Sequence, residues 1–116
     1  MSTSAEVLAG KAVWAVEQGD CLPWLSALPE GSVDLLVCSP PYVAARTYAE
    51  GGDDPGIARK PGAWVAWMLQ VCGAAGRACR GLCAFVVEGS TRSYRYDCTP
   101  FLLLADLHRQ GFHLRK

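Results

Sequence analysis

Apolar positions along the chain alternate between spacing typical of strands and spacing typical of helices. The β-prone run "AVWAV" (12–16) predicts a first strand, and the runs "VDLLVC" (33–38) and "LCAFVVE" (82–88) predict two more. The run 33–38 is almost continuously apolar, which is typical of parallel strands that are buried on both faces. The segment "FHLRK" after Gly111 begins a further element.

Helical spacing occurs between these strands. The segment 22–29 predicts a helix that tolerates Pro23 in its first turn, and 99–110 predicts another, with Thr99 as its cap and Pro100 at its first position. A third helix is predicted by apolar residues that recur on one face, and we interpret them as core: Trp64, Trp67, Met68, Val71, Cys72 and Ala75.

Strands that alternate with helices predict an α/β fold, in which a mostly parallel sheet carries helices on both faces. The chain of 116 residues, 51% of them hydrophobic, has room for a single small domain with a real core. Three strands make a small sheet, so we expect an incomplete fold. Residues 43–61 are rich in Gly, Asp and Pro and predict a long surface loop, and "GSTRSYRYD" (89–97) predicts a polar loop.

Composition narrows the possible classes of protein. Eleven basic and eleven acidic residues cancel, so any nucleic-acid binding must come from a local patch. No uncharged apolar stretch reaches the roughly 18 residues of a membrane span, and the N-terminus has no signal-peptide pattern, so we expect a cytoplasmic protein without a membrane partner. The six cysteines form no CxxC pair, and His108 and His113 lack metal-ligand spacing. Reduced core thiols and no metal site are predicted.

The segment "CSPPY" (38–42) ends the second predicted strand in an unusual way. Two consecutive prolines cannot continue a ladder, and they stiffen the backbone while leaving its carbonyls available. One interpretation is a strand end followed by a turn, with Ser39 as a cap and Tyr42 as a rim aromatic. The other is a rigid set of acceptors beside an aromatic ring, at the end of a strand where open α/β sheets bind ligands.

The residues around this segment resemble a known family. The stretch "GDCLPWLSALPEGSVDLLVCSPPY" (19–42) is similar to the opening of the amino-group DNA methyltransferases, whose hallmark is (Asp, Ser or Asn)-Pro-Pro-(Tyr, Phe or Trp) after a strand. The stretches "SPPYVAARTY", "GAWVAWMLQVCGAAGRACRGLCAFVVEG" and "LLLADLHRQGFHLRK" resemble the family in order, so nearly the whole chain is covered. The resemblance implies part of a Rossmann-like sheet.

The resemblance also implies a catalytic site. Ser39 would offer its hydroxyl oxygen and Pro40 its carbonyl to the hydrogens of an exocyclic amine, Pro41 would fix the turn, and Tyr42 would stack on a flipped base. S-adenosyl-L-methionine would be the methyl donor, and the residues implied to contact it are Asp20, Cys21 and Ser39. For Asp20, a turn-forming role is an equal alternative.

The implied partner is DNA. Arg46 and Tyr48 are candidates for contact with DNA phosphate, and Arg92 and Arg95, interleaved with tyrosines, resemble a small nucleic-acid patch. Solvated loop residues are the alternative interpretation for all of these.

Serine in the first motif position favours cytosine N4 as the methylated atom, with adenine N6 as the alternative. A carbon-5 cytosine enzyme is disfavoured, because it needs a nucleophilic cysteine and Cys38 precedes Ser-Pro-Pro instead of following a proline.

One family feature has no counterpart in these 116 residues. The glycine-rich cofactor loop, of the type Asp-Pro-Phe-x-Gly-x-Gly-Thr, does not occur, and "GGDDPG" neither follows a strand nor opens a helix. The alternatives to a working enzyme are therefore an inactive remnant, or one piece of a split enzyme that acts with a complementary chain. Uncovered apolar faces would also favour self-association.

This reasoning predicts that the isolated chain binds S-adenosylmethionine weakly or not at all, because the glycine turn that would hold the cofactor is missing. Calorimetric titration measures the affinity, after circular dichroism has shown that the chain is folded. One-to-one binding at micromolar affinity or tighter would contradict the prediction.

Overall fold

The structure, a computed structural model, describes residues 1–41 and 60–115. Its helices and strands, in chain order, are α1 (Ser4–Leu8), α2 (Cys21–Ala27), β1 (Val33–Cys38), α3 (Pro61–Ala78), β2 (Cys79–Phe85), β3 (Thr91–Arg92), β4 (Arg95–Tyr96) and α4 (Thr99–Arg109). None of the helices in the described part of the chain combines the length and apolarity needed to cross a bilayer.

The sheet centres on a parallel pair. Strands β1 and β2 lie side by side, with Leu36 opposite Cys83 and Cys38 opposite Phe85, and the ladder extends to a hydrogen bond of 2.8 Å from Val86 N to the Cys38 carbonyl. The predicted mixture of helices with parallel strands is thus confirmed. Strand β2 begins at residue 79, three residues earlier than predicted, because the backbone becomes extended immediately where α3 ends.

Gly81 lies at an irregularity in this pairing. The register shifts between Val33 and Leu35, so β2 carries an extra residue relative to β1. A side chain at Gly81 would collide with the backbone carbonyl of Asp34. The close approach of the two backbones therefore requires glycine at this position, which is a common reason for glycine inside a strand.

Helix α3 provides most of the core. Its buried residues divide into two clusters: Trp64, Val65, Met68 and Cys72 pack with Leu103 and Leu107 of α4, and Val71, Ala75 and Ala78 pack with Leu25 and Leu28 of the α2 region. The prediction that the apolar face of this helix is core is confirmed. Helix α3 contacts both α2 and α4.

Helix α2 is fixed at both ends. The Asp20 carboxylate accepts a hydrogen bond of 3.0 Å from Leu22 N at its first turn. At its last turn, the Arg77 guanidinium of α3 donates to the carbonyls of Leu25, Ser26 and Leu28. A cation on the free carbonyls of a helix C-terminus is favourable, so Arg77 joins α2 to α3. The helix predicted at 22–29 is confirmed, with a shift of one or two residues at each end.

Helix α4 also confirms a prediction, but its cap differs. Cys98 occupies the N-cap position, and Thr99 is instead the first helical residue and is almost fully buried. The Asp97 carboxylate accepts from Thr99 N at 3.0 Å and also from the Thr99 hydroxyl. Aspartate therefore accepts from the backbone N–H of Thr99 at the start of the helix, and the N-cap residue itself makes no side-chain cap. Gly111, with φ of +86°, ends the helix as expected.

The first predicted strand is wrong. Residues 12–16 lie in no strand of the described chain, and the side chains of Val13, Trp14 and Val16 are exposed, Val13 by 93%. A β-prone run becomes a strand only when a neighbouring strand provides hydrogen-bond partners, and none of the described strands lies beside it. Residues 112–115 are likewise outside any strand.

The expectation of a sheet covered on both faces is not met by the described residues. Leu35 and Val37 of β1 are 57% and 69% exposed, and Leu82 and Val86 are exposed on the neighbouring segment. Val33, which precedes the register shift, and Leu36 pack instead against the buried cluster of α3 and the α2 region. One face of the parallel pair is therefore core and the other is an uncovered apolar surface, as expected for an incomplete sheet.

We predict that Gly81→Ala lowers the free energy of unfolding by about 3 kcal/mol, because the added methyl group forces the two strand backbones apart. Urea denaturation followed by circular dichroism measures the change. Gly73→Ala is the matched control, since nothing lies within 4 Å of its added methyl group on α3, and there alanine should stabilise by up to about 1 kcal/mol. Equal urea midpoints for the two variants would contradict the requirement for glycine at the irregularity between β1 and β2.

Candidate functional site at the carboxyl ends of the parallel strands

The two parallel strands end at the same edge of the sheet. Strand β1 leads directly into Ser39, Pro40 and Pro41, and β2 leads into residues 86–98. Ligands of open α/β sheets bind at this carboxyl edge. The structure therefore puts the predicted catalytic segment in the position where the fold class binds its ligands.

A tryptophan of α3 holds this segment. The Trp64 indole Nε1–H donates to the Pro41 carbonyl at 2.6 Å, and the Trp64 side chain is only 1% exposed. Pro40 is buried and Ser39 is exposed. The Pro41 carbonyl is thus engaged inside the protein, while the Ser39 side chain lies at the surface. Tyr42 lies outside the described residues.

Trp64 has a role that the sequence interpretation missed. Its position on the apolar face of α3 predicted a core residue, which is correct, but its indole N–H also positions the proline segment. The N–H group of a buried tryptophan usually has a hydrogen-bond acceptor, so the sequence could have indicated that Trp64 makes such a bond. Which acceptor it meets depends on the tertiary packing.

The implied cofactor residues Asp20 and Cys21 lie near the same edge. The pKa of the Cys21 thiol is raised first by burial, then by the charge of Asp20, and then by Cys38. Cys21 is therefore within electrostatic reach of the end of β1, next to Ser39. The Asp20 carboxylate meanwhile caps α2, which is the turn-forming role left open above.

Glu17 is a polar centre that the sequence interpretation did not single out. Its carboxylate accepts hydrogen bonds from Ser4 N and Ser4 Oγ, both at 3.0 Å, and from the indole N–H of Trp24 at 2.5 Å. The Ser4 backbone bond, then the Trp24 bond and then the Ser4 hydroxyl bond lower the pKa of Glu17. A cavity of about 380 Å³ lies beside it, lined in part by Gly19 and Cys21.

The arginines for which the resemblance implies contact with DNA lie in two parts of the chain. Arg92 and Arg95 belong to a two-stranded antiparallel hairpin formed by β3 and β4, in which they are paired positions. The polar loop predicted at 89–97 is thus corrected to a hairpin. The hairpin was not predicted because its turn residues are Ser93 and Tyr94, whereas two-residue turns of this kind are usually recognised by Asn-Gly. Arg46 and Tyr48 lie outside the described residues.

The thiols of Cys38, Cys72 and Cys83 have raised pKa values. Burial raises the pKa of Cys38, and it raises the pKa of Cys72 to about 11, with smaller contributions from Cys83 and Cys38. For Cys83, burial followed by a hydrogen bond with Cys79 also gives a pKa of about 11. These three thiols are therefore protonated near neutral pH. Within residues 1–41 and 60–115, no group of three metal-ligating side chains comes together.

A larger cavity than the one beside Glu17 lies elsewhere. It measures about 660 Å³ and lies between β2, α4 and residues 112–115, with mainly apolar walls that include Leu103, Leu107 and Phe112. None of residues 39–41 lines it. We regard it as part of the incompletely covered core, since the polar groups of the proposed chemistry lie at the strand ends.

Comparison of the chain with protein-family models, with curated proteins and with solved structures finds no match. The interpretation of the site therefore depends on its residues and their geometry.

We predict that Trp64→Phe lowers the free energy of unfolding by roughly 1–3 kcal/mol, because the partly buried Pro41 carbonyl loses its donor and the smaller side chain leaves a cavity. Trp24→Phe is the matched control. It removes an indole hydrogen bond of similar length from an exposed side chain, and we expect a cost below about 1 kcal/mol. Urea titration of both variants measures the difference, and a larger loss for Trp24→Phe would contradict the anchoring role of Trp64.

Proposed function

We propose that this chain carries the target-amine part of an S-adenosylmethionine-dependent DNA methyltransferase that acts on the N4 amine of cytosine. The observation that carries the proposal is the location of Ser39-Pro40-Pro41 immediately after the carboxyl end of a parallel strand, with the last carbonyl held by Trp64. A rigid segment with a surface serine at this edge is the arrangement that the chemistry requires.

The chemistry explains why rigidity matters. The exocyclic amine of cytosine is a poor nucleophile, because its lone pair is delocalised into the ring. Acceptors that hold both amine hydrogens favour a pyramidal nitrogen with its lone pair directed at the methyl donor. We assign these acceptors to the Ser39 hydroxyl oxygen and the Pro40 carbonyl. The Pro41 carbonyl accepts the Trp64 indole N–H instead, so its part is to fix the turn.

When bound, S-adenosylmethionine supplies an activated sulfonium methyl group. The described residues fit this cofactor only in part. Asp20 and Cys21 lie at the correct edge, but the Asp20 carboxylate already caps α2, and the Glu17 carboxylate is held by Ser4 and Trp24. The glycine turn that would bind the methionine end is missing from the sequence. We therefore assign to this chain only the positioning of the base.

A second proposal concerns how the chain acts. The uncovered face of the parallel pair exposes Leu35, Val37, Leu82 and Val86, which is an apolar surface of the kind that a partner covers. This observation favours one piece of a split enzyme that acts with a complementary chain. Self-association and an inactive remnant are the remaining alternatives.

The test combines the chain with the product of any neighbouring reading frame that encodes a glycine-rich loop of the type Asp-Pro-Phe-x-Gly-x-Gly-Thr. DNA treated with the pair and S-adenosylmethionine is digested to nucleosides, and N4-methylcytosine is expected. We predict that Ser39→Ala lowers the turnover about 100-fold, because one preorganised acceptor is lost.

Ser26→Ala is the matched control, since the Ser26 hydroxyl donates to the Leu22 carbonyl within α2, away from the strand ends. Equal turnover of the Ser39→Ala and Ser26→Ala variants would reject the site. Methyl on adenine would reject the choice of base.

A further inference from the structure

We propose that the β3–β4 hairpin, residues 91–96, is an element that grips unpaired DNA and that Tyr94 at its tip stacks on a base. This inference rests on the proposed function, which makes DNA the substrate. The sequence already suggested a small nucleic-acid patch of Arg92 and Arg95 interleaved with Tyr94 and Tyr96, and the inference adds to it a stacking contact made by Tyr94.

The backbone of the turn is the first argument. Ser93 and Tyr94 have φ of +49° and +62°, so both central residues of this two-residue turn adopt the left-handed conformation. Turns of this kind normally use Asn or Gly, and a bulky residue with positive φ is uncommon. A strained backbone conformation of this kind often marks a residue whose side chain has a function. Here the residue is a tyrosine at the tip of the hairpin.

The exposure of Tyr94 is the second argument. Its side chain is as accessible as in an extended peptide, with a relative exposure of 104%. Packing within the chain therefore does not account for an aromatic residue at this strained position. A ring presented in this way offers a flat face to a base, and stacking on a base is tolerant of sequence.

The base of the hairpin is fixed, so the tip is held in a defined direction. Asp97 N donates to the Ser90 carbonyl at 2.6 Å, and the Tyr96 ring packs against the ring of Phe101 on α4, with 6.5 Å between centroids. Gly89 lies so close to Tyr96 and Asp97 that a side chain there would collide with both. A rigid support reduces the ordering cost of binding.

The charge of the hairpin suits a polyanion. Positions 92 and 95, which flank the turn and pair across the ladder, both hold arginine. Like charges at directly opposed positions destabilise a strand pair. Arginine at both positions therefore does not contribute to the stability of the hairpin. The nearest acidic side chain along the chain, Asp97, is engaged by Thr99 at the start of α4. Two basic residues therefore flank the turn in a chain of zero net charge.

The chain enters the hairpin from the carboxyl end of the parallel pair. The hairpin follows the carboxyl end of β2, and Ser39 follows the carboxyl end of β1. The hydrogen bond from Val86 N to the Cys38 carbonyl joins the starts of the two segments. We infer that a DNA strand that presents an amine to Ser39 also reaches the hairpin.

Fluorescence anisotropy of the full chain with a labelled single-stranded oligonucleotide, and with its duplex, tests the inference. We expect the chain to bind, with tighter binding to the single strand. Tyr94→Asn should weaken single-strand binding about tenfold, since asparagine tolerates the turn but has no ring. Tyr94→Phe should bind as the original chain does. Arg95→Gln should make the slope of log affinity against log salt less negative by roughly 0.7.

Arg109→Gln is the control for charge, because Arg109 pairs with Asp106 on α4 and lies outside the hairpin. Thermal unfolding verifies that the Tyr94→Asn variant is folded. Failure of the original chain to bind DNA, or equal affinity of the Tyr94→Asn variant, would overturn the inference. Binding that depends on Tyr94, without methylation by the chain combined with its complementary chain, would reject the proposed function alone. Methylation by that pair with hairpin-independent binding would reject this inference alone.

Discussion

The packing of α3 is the constraint on which the other elements depend. This helix of 18 residues has buried side chains on two adjoining faces, one against α4 and the other against the α2 region and β1. Its C-terminal end passes directly into β2, and Arg77 near that end ties down the last turn of α2. Trp64 near its N-terminal end holds Pro41. One helix thus aligns the sheet and fixes the segment that we assign to catalysis.

The same arrangement explains why the proposed site is rigid at one point and exposed at another. Pro41 is bound to a core tryptophan, and Ser39, two residues earlier, is at the surface. A reactive amine needs acceptors that do not move, and a short proline segment fixed at its end meets this requirement at little entropic cost. The hairpin beyond β2 is similarly fixed at its base through Tyr96 and presents its tip.

The helices and the parallel pair could be predicted from the sequence because their signals are local. The apolar face of α3 and the run 33–38 have the periods of their structures, and Gly111 ends α4 as predicted. The strand expected at 12–16 failed because pairing depends on a neighbour, which no local pattern reveals. The hairpin was missed because Ser93 and Tyr94 are atypical for its turn.

The site was predictable to a similar, limited degree. The resemblance singled out Ser39 to Tyr42 from a short motif, and the strand before them has the expected bounds. The anchoring role of Trp64 and the use of Asp20 as a cap depend on distances in space. So does the involvement of Glu17 with Ser4, which is 13 residues away along the chain. These contacts depend on tertiary packing. The sequence shows which residue types are present but not which residues they contact.

The most direct test of the central claim is to map where DNA touches the chain. A single-stranded oligonucleotide that contains 5-iodocytosine, cross-linked by light and digested with protease, identifies the contacted peptides by mass spectrometry. The account predicts adducts on the peptides that contain Ser39 and Tyr94, because both follow the carboxyl ends of the parallel strands. Adducts confined to the outer surfaces of α2 or α4, or none above those on an unrelated protein, would contradict it.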